Sequence, residues 1–276
     1  MDFISFTRMH GLLIDRLKQF EIARCRTDGS KSKMNGAYYF AGDFGWCMDW
    51  SEHESPIFWR AEGVNDDPTF KQKVKQSQEK FQEERKKAAS DAAKKAKWIL
   101  GQCRHDPSFY LKNKGFPDMR GNVWIKDGAD FLVIPMYLNG EIVGCQLISS
   151  DGGKRFIKGQ ITKGAFFQMG VGDVLFYVEG YASGLSLQRI LRNLKISNRI
   201  IICFSASNML YLAKKNNGFV IADNDESGTG EKFAIESGRP FWMPPVVGFD
   251  INDYEKKFGI FRVSQEIKQF IYASQR

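Results

Sequence analysis

The sequence predicts an α/β protein, α+β overall, whose carboxyl-terminal part is a parallel sheet flanked by helices. Near-continuous apolar runs at 174–178, 199–204 and 218–222 alternate with helical stretches from Leu185 to Leu194 and near Ser207 to Lys215. Strands that read as unbroken apolar runs are buried on both faces, and their alternation with helices is that of parallel strands joined by crossovers. Ahead of this sheet the residue texture changes twice, which predicts a small basic mixed subdomain, one long helix and a small β-rich beginning.

Residues 1–68 are aromatic and glycine-rich. Ala37-Tyr38-Tyr39-Phe40 and Phe44-Gly45-Trp46-Cys47 read as strands, and Thr27-Asp28-Gly29-Ser30 and Ala41-Gly42-Asp43 as turns of a small antiparallel sheet. The aromatic residues Tyr38, Tyr39, Trp46, Trp50 and Trp59 are either the core of that sheet or a stacking surface for unpaired bases. Asp66-Asp67-Pro68 marks a break.

Residues 69–104 form a basic helical linker, with no Gly or Pro between Thr69 and Gly101. Val74, Phe81, Ala88, Ala92, Ala96 and Ile99 make a thin apolar stripe at helical spacing. Lysines and arginines dominate the rest of its surface, from Lys71 to Lys97, as a solvated face or as contacts to a nucleic-acid backbone.

Residues 105–170 form the basic subdomain. Phe131–Met136 and Glu141–Ile148 flank Asn139-Gly140, a strong hairpin signal. Lys154, Arg155, Lys158 and Lys163 follow the turn formers Asp151-Gly152-Gly153, as exposed bases on a hairpin or as contacts to triphosphate and DNA. Residues 171–276 complete the chain as the catalytic domain.

Bulk properties narrow the function classes. A net charge of +8 and a pI near 9.1 favour a polyanionic partner such as nucleic acid. The five cysteines are scattered, without the paired spacing of a zinc site, and an odd number of separate thiols argues against a disulfide framework. His10, His53 and His105 are isolated. No apolar run reaches membrane-spanning length, Asp2, Arg8 and Asp15 interrupt any leader-like stretch, and no GxxxxGK[ST] loop is present. A membrane is therefore not an expected partner.

The informative feature is where the acids fall. Glu179-Gly180 follows one apolar strand directly, and Asp223 and Asp225 follow another. In open α/β sheets ligands bind beyond the carboxyl ends of strands, so two neighbouring strands would bring three carboxylates into one crevice. Such carboxylates repel unless a cation sits among them, and an all-oxygen set favours Mg²⁺ or Mn²⁺, the ions of phosphoryl-transfer chemistry. Asp225 is also placed to cap the following helix.

These residues resemble the TOPRIM domain. Glu179-Gly180-Tyr181, then Ala222-Asp223-Asn224-Asp225 with Gly228 and Gly230, then Asp250-Ile251-Asn252-Asp253 are similar to its three acidic motifs. The stretch Glu179 to Leu187 is most similar to DNA primases of the phage and plasmid type, related to the catalytic cores of bacterial replicative primases. Gly140-Glu141-Ile142-Val143-Gly144 and Gly153 to Gly159 resemble the basic subdomain preceding TOPRIM, and Cys25 to Gly29 and Trp59-Arg60 the head of that group.

The resemblance implies a nucleotidyltransferase, a DNA primase making short primers on single-stranded DNA from nucleoside triphosphates. It implies Glu179, Asp223 and Asp225 as catalytic acids, with Asp250 and Asp253 joining them as Mg²⁺ or Mn²⁺ ligands. Lys154, Arg155, Lys158 and Lys163 would meet nucleotide or DNA. A separate replicative helicase is the implied partner, and the cytoplasm, that of a bacterial host, the implied location. A TOPRIM nuclease and a non-catalytic single-strand-binding accessory protein are the alternatives. Two departures stand out: Ser183 occupies a place where replicative primases commonly carry Asp, and the zinc module that precedes many primases has no counterpart here.

Overall fold

The computed structural model describes residues 1–29, 34–50, 53, 55–63 and 68–274. The expected turn residue Ser30 and the expected break at Asp66-Asp67 lie outside the described residues. The chain divides into two compact units, Met1–Glu83 and Glu84–Arg276.

The first unit opens with helix α1 (Phe3–Met9), capped by the Asp2 carboxylate, which accepts from the Ser5 N–H. Strands β1 (Leu12–Leu13), β2 (Ala23–Thr27), β3 (Gly36–Phe40), β4 (Phe44–Asp49) and β5 (Ile57–Arg60) form one antiparallel sheet in sequential order. Tyr38 and Trp59 bury on one face with Phe3 and Leu12. Trp46 and Phe44 bury on the other, where Phe81 of helix α2 (Pro68–Gln102) meets the Trp46 ring edge-on at 4.8 Å. The rings of Tyr38, Trp46 and Trp59 are thus core, which removes them as a stacking surface. Tyr39 is partly buried against Trp46, and Trp50 lies under the Arg24 guanidinium.

In the second unit, the latter half of α2 buries Ala92, Ala96 and Ile99 against Val133, Cys145 and Ile157. Small residues on the helix let its backbone approach the sheet closely. That sheet contains β6 (Arg104–Pro107), β7 (Arg120–Lys126), β8 (Ala129–Leu138), β9 (Glu141–Ser149) and β10 (Lys154–Phe156), antiparallel throughout in the order β10-β9-β8-β7-β6. The expected β8–β9 hairpin turns at Asn139 and Gly140, both with positive φ (52° and 82°), the signature of a two-residue turn matched to strand twist. Asp127-Gly128 does the same between β7 and β8. Helix α3 (Phe109–Asn113) lies between β6 and β7 in sequence.

The third sheet combines β11 (Phe167–Met169), β12 (Val174–Val178), β13 (Asn198–Ile202), β14 (Phe219–Ile221) and β15 (Phe241–Trp242) in the order β11-β13-β12-β14-β15. The last four are parallel and β11 runs antiparallel at the edge. The whole is therefore a mixed α/β protein in which two of the three described sheets are antiparallel. Helices α4 (Tyr181–Asn193), α7 (Ile251–Phe258) and α8 (Ile260–Ala273) cover the side of Phe176 and Val178. Helices α5 (Ala206–Ala213) and α6 (Thr229–Glu236) cover the side of Tyr177 and Val220.

Helix α4 starts four residues earlier than the apolar pattern indicates, because extended Gly180 serves as its cap directly after the strand. Gly184 inside it is a packing contact: a Cβ there would lie 2.2 Å from the Ile202 Cδ1.

Candidate functional site

The chain passes from β12 to β13 on one side, then to β14 on the other, so the strand order reverses between β12 and β14. Side-by-side parallel strands that diverge in this way leave a crevice beyond their carboxyl ends. Val178 pairs with Ile221, so Glu179 and Asp223 leave the sheet together at that switch point.

A third acid arrives through Asn224. Its backbone bridges Phe249, donating to the Phe249 carbonyl at 3.0 Å and accepting from the Gly248 N–H at 2.6 Å. Its side chain donates to the Pro244 carbonyl at 2.9 Å. The segment 244–249 is thereby tied to the Asp223 loop and delivers Asp250, whose carboxylate caps α7 by accepting from the Asp253 N–H at 2.7 Å.

The acids feel one another. Burial pushes the Asp223 carboxyl up to about 8, and the negative charges of Glu179 and Asp250 add to the rise while Lys154 opposes it. Glu179 is raised as well, first by burial, with Asp225 and Asp250 adding and Lys154 again opposing. Asp223 Oδ1 is buried and has no hydrogen-bond partner among the described residues.

Asp225 lives in a different environment. Burial disfavours its charge, yet its carboxyl is lowered because the Ser227 hydroxyl and the N–H groups of Gly230, Thr229 and Ser227 donate to it. Both of its oxygens face the start of α6, so the capping role is present, and close approach there depends on Gly230. Asp253 turns to the Lys114 ammonium at 3.3 Å, which also lies 4.0 Å from Asp250.

Among the described residues, no group of three or more His, Cys, Asp or Glu side chains is arranged to hold a metal ion. Asp223 and Glu179 nonetheless fit a divalent cation. The orphaned buried oxygen lacks a donor among the described residues, Lys154 offsets the mutual repulsion only in part, and Mg²⁺ commonly needs only one or two protein carboxylates because it keeps waters and takes phosphate oxygens. Asp250 adds charge to this set; Asp253 is engaged elsewhere.

The basic residues separate. Lys154 acts on both Glu179 and Asp223, and its Nζ stands 3.6 Å from where a Cβ on Gly180 would be. Arg155, next along β10, projects to the opposite face of its sheet and acts on Asp151. Lys158 is exposed, and Lys163 lies over the Tyr211 ring at 5.0 Å.

Three contributors escape sequence reasoning: Asn224 as the tie, Lys114 as the partner of Asp253, and Arg189. The Arg189 guanidinium donates twice to buried Glu255 of α7 at 2.8 Å and covers the Phe116 ring. It thereby pins α7, which Asp250 caps, onto α4, which begins two residues after Glu179. Only the Asn224 position carried a local signal, since it lies between the two aspartates.

No known protein-family profile matches the chain. Among solved structures, the chain is similar to one in the assembly of bacteriophage T7 lagging-strand DNA polymerase with the primase domains of two gp4 subunits bound to an RNA/DNA hybrid and dTTP. The identity is 16% and the TM-score 0.46, over 63% of this chain and 95% of that one. It is also similar to the primase fragment of the bacteriophage T7 primase-helicase, with 16% identity and a TM-score of 0.44 over 63% of this chain and 77% of that one.

Proposed function

We propose that the protein is a TOPRIM-type DNA primase, a metal-dependent enzyme that joins nucleotides into short primers on single-stranded DNA. The observation that carries the reading is the pairing of Glu179 with Asp223 at the strand-order reversal, with a buried Asp223 oxygen that has no hydrogen-bond partner among the described residues and with Lys154 acting on both acids. A site that holds like charges together at a cost in stability is built for a counter-charge.

In primer synthesis a 3′-hydroxyl oxygen bonds to the α-phosphorus of a triphosphate, and the bond to pyrophosphate breaks. Glu179, whose proton affinity is raised by burial and neighbouring acids, would accept the hydroxyl proton on its carboxylate if it acts as the base and not as a metal ligand. Lys154, beside it, meets the phosphates and balances their charge. Asp223 with Glu179 would hold Mg²⁺ or Mn²⁺, which when bound neutralises charge developing on the phosphoryl oxygens. Asp225 holds the start of α6 against the Asp223 loop, and Asp250 keeps the negative field on the crevice. Arg155, Lys158 and Lys163 lie outside this crevice and are assigned to the DNA. Unwinding would come from a helicase on another chain.

The test is incubation of the protein with single-stranded DNA, labelled nucleotides and Mg²⁺ or Mn²⁺, followed by sizing of the products. Oligonucleotide synthesis is expected, lost in Asp223→Asn and Glu179→Gln with the fold retained. Shortening of the template without synthesis would reassign the site to a nuclease, and full synthesis by Asp223→Asn would reject it.

A further inference from the structure

Side chains of the β6–β10 sheet alternate between two faces. Leu132, Ile134 and Ile148 point into the core shared with α4 and α7, and Lys154, which pairs with Ile148, stands on that side. Trp124 pairs with Phe131, and Phe131 with Ser149, on the opposite face, the one α2 covers.

The apolar stripe of α2 includes Ile99, and Trp98 beside it leaves the core, 57% exposed. Its ring meets Trp124 edge-on, with centroids 6.2 Å apart and planes at 83°. The contact holds the two rings at right angles and leaves more than half of the Trp98 side chain exposed. Beyond Arg104, which pairs with Val123, β7 has no further strand neighbour on that side among the described residues. Trp98, Gln102, Arg104, Trp124, Ile125 and Lys126 line an open groove there. The Lys126 ammonium lies 5.9 Å from the Trp124 ring, and Asp127, the acid at the end of the groove, is 4.0 Å from Lys126.

A helix end that had only to cover the sheet would be finished by polar or small residues; an exposed indole held in place by a second one offers a flat π-face. The apolar area is small for a protein partner and is bordered by cations. The unpaired edge of β7 is three residues long and ends in the Asp127-Gly128 turn, too short to accept a peptide strand. Flat ring, flanking cations and an overall charge of +8 together match one ligand class, a single-stranded nucleic acid, whose bases stack on aromatic faces while its phosphates meet basic groups.

We propose that this groove is a second single-strand contact, with a base stacked on the open face of Trp98 and neighbouring phosphates paired with Arg104 and Lys126. Trp98, Trp124 and Lys126 stand on the face of the sheet away from Lys154, while Arg104, through Val123, stands at the edge strand on the other face, so the strand passes around the β7 edge with its stacked base outside the catalytic crevice. The groove does not depend on the primase reading.

The experiment is fluorescence anisotropy of a labelled oligothymidylate titrated with the full chain in EDTA, where no chemistry runs, at low and moderate salt. Trp98→Ala is expected to weaken binding about tenfold, and Trp98→Phe to retain most of it. Arg104→Gln with Lys126→Gln is expected to lower the salt slope by about 1.4, the value for two phosphates on a single strand. Unchanged affinity in Trp98→Ala together with an unchanged slope in the double variant overturns the proposal. Unchanged affinity with loss of self-association on a sizing column overturns it in favour of a second copy of the chain. If Trp98→Ala perturbs the fold by circular dichroism, the double variant alone decides. Trp98-dependent binding without primer synthesis by the wild type would reject the primase and leave the groove intact.

Discussion

Neutralising Asp223 is expected to change the way stability depends on pH. In the native state burial and the charges of Glu179 and Asp250 raise this carboxyl from 3.8 to about 8. The native protein therefore keeps a proton that the unfolded chain has already released, and stability falls as pH rises from about 4 through about 8. Above that window the cost is complete. At 1.36 kcal/mol per pH unit the whole shift corresponds to roughly 6 kcal/mol, which is a ceiling. Glu179 and Asp223 are both raised and act on each other, so removing one charge recovers only a part of that ceiling. Urea unfolding in EDTA, followed by circular dichroism across the window, measures it. Asp223→Asn should be more stable than wild type at the alkaline end and match it at the acid end. Added Mg²⁺ should restore the wild type at high pH and leave the variant unmoved. A wild type and variant that lose stability in parallel as pH rises would refute the electrostatic account of the crevice.

Two other substitutions probe how the crevice is held. Gly230→Ala would place a Cβ 2.1 Å from the Asp223 carbonyl oxygen, so it should lower stability by about 1–3 kcal/mol and abolish synthesis, read by thermal melting and by primer assay. Arg189→Leu leaves the Glu255 carboxylate, 3% exposed, without its partner and should cost about 3 kcal/mol in urea unfolding. Replacing Glu255 with Leu as well should recover most of that loss, whereas equal loss in the double variant would show that the pair is not what joins α4 to α7.

The elements that carry their own geometry were legible from the sequence. The β8–β9 hairpin follows from Asn139-Gly140, because the turn needs two positive φ values and few residue pairs supply them. The long helix follows from its lack of Gly and Pro, and β12, β13 and β14 of the third sheet follow from apolar runs too short for helices, whereas the short edge strands β11 and β15 carry no such run. Boundaries were less legible where tertiary packing overrides propensity. The expected helix begins at Leu185, just after Gly184, and only the Ile202 side chain against Gly184 explains why a glycine stands inside α4. Nor does local pattern reveal that β11 runs against its neighbours, since direction is set by which strand it meets, and Phe167 meets Ile202 thirty-five residues on.

The same distinction divides the acids. Glu179 and Asp223 were legible because each ends an apolar strand, and strand order then brings the two ends together. Spacing alone also suggested that Asp223 and Asp225 were equivalent, and they are not. One lies among other acids with an unpartnered oxygen; the other receives hydrogen bonds from the start of α6, and their carboxyls move in opposite directions. The difference is made by Gly228 and Gly230, which let the backbone after Asp225 turn back and aim its N–H groups at that carboxylate. In this Asp-x-Asp pair the glycines therefore leave one carboxylate lowered by backbone donors and the other raised, with an oxygen that no donor among the described residues meets. That asymmetry makes Asp223, rather than Asp225, the more informative residue to neutralise.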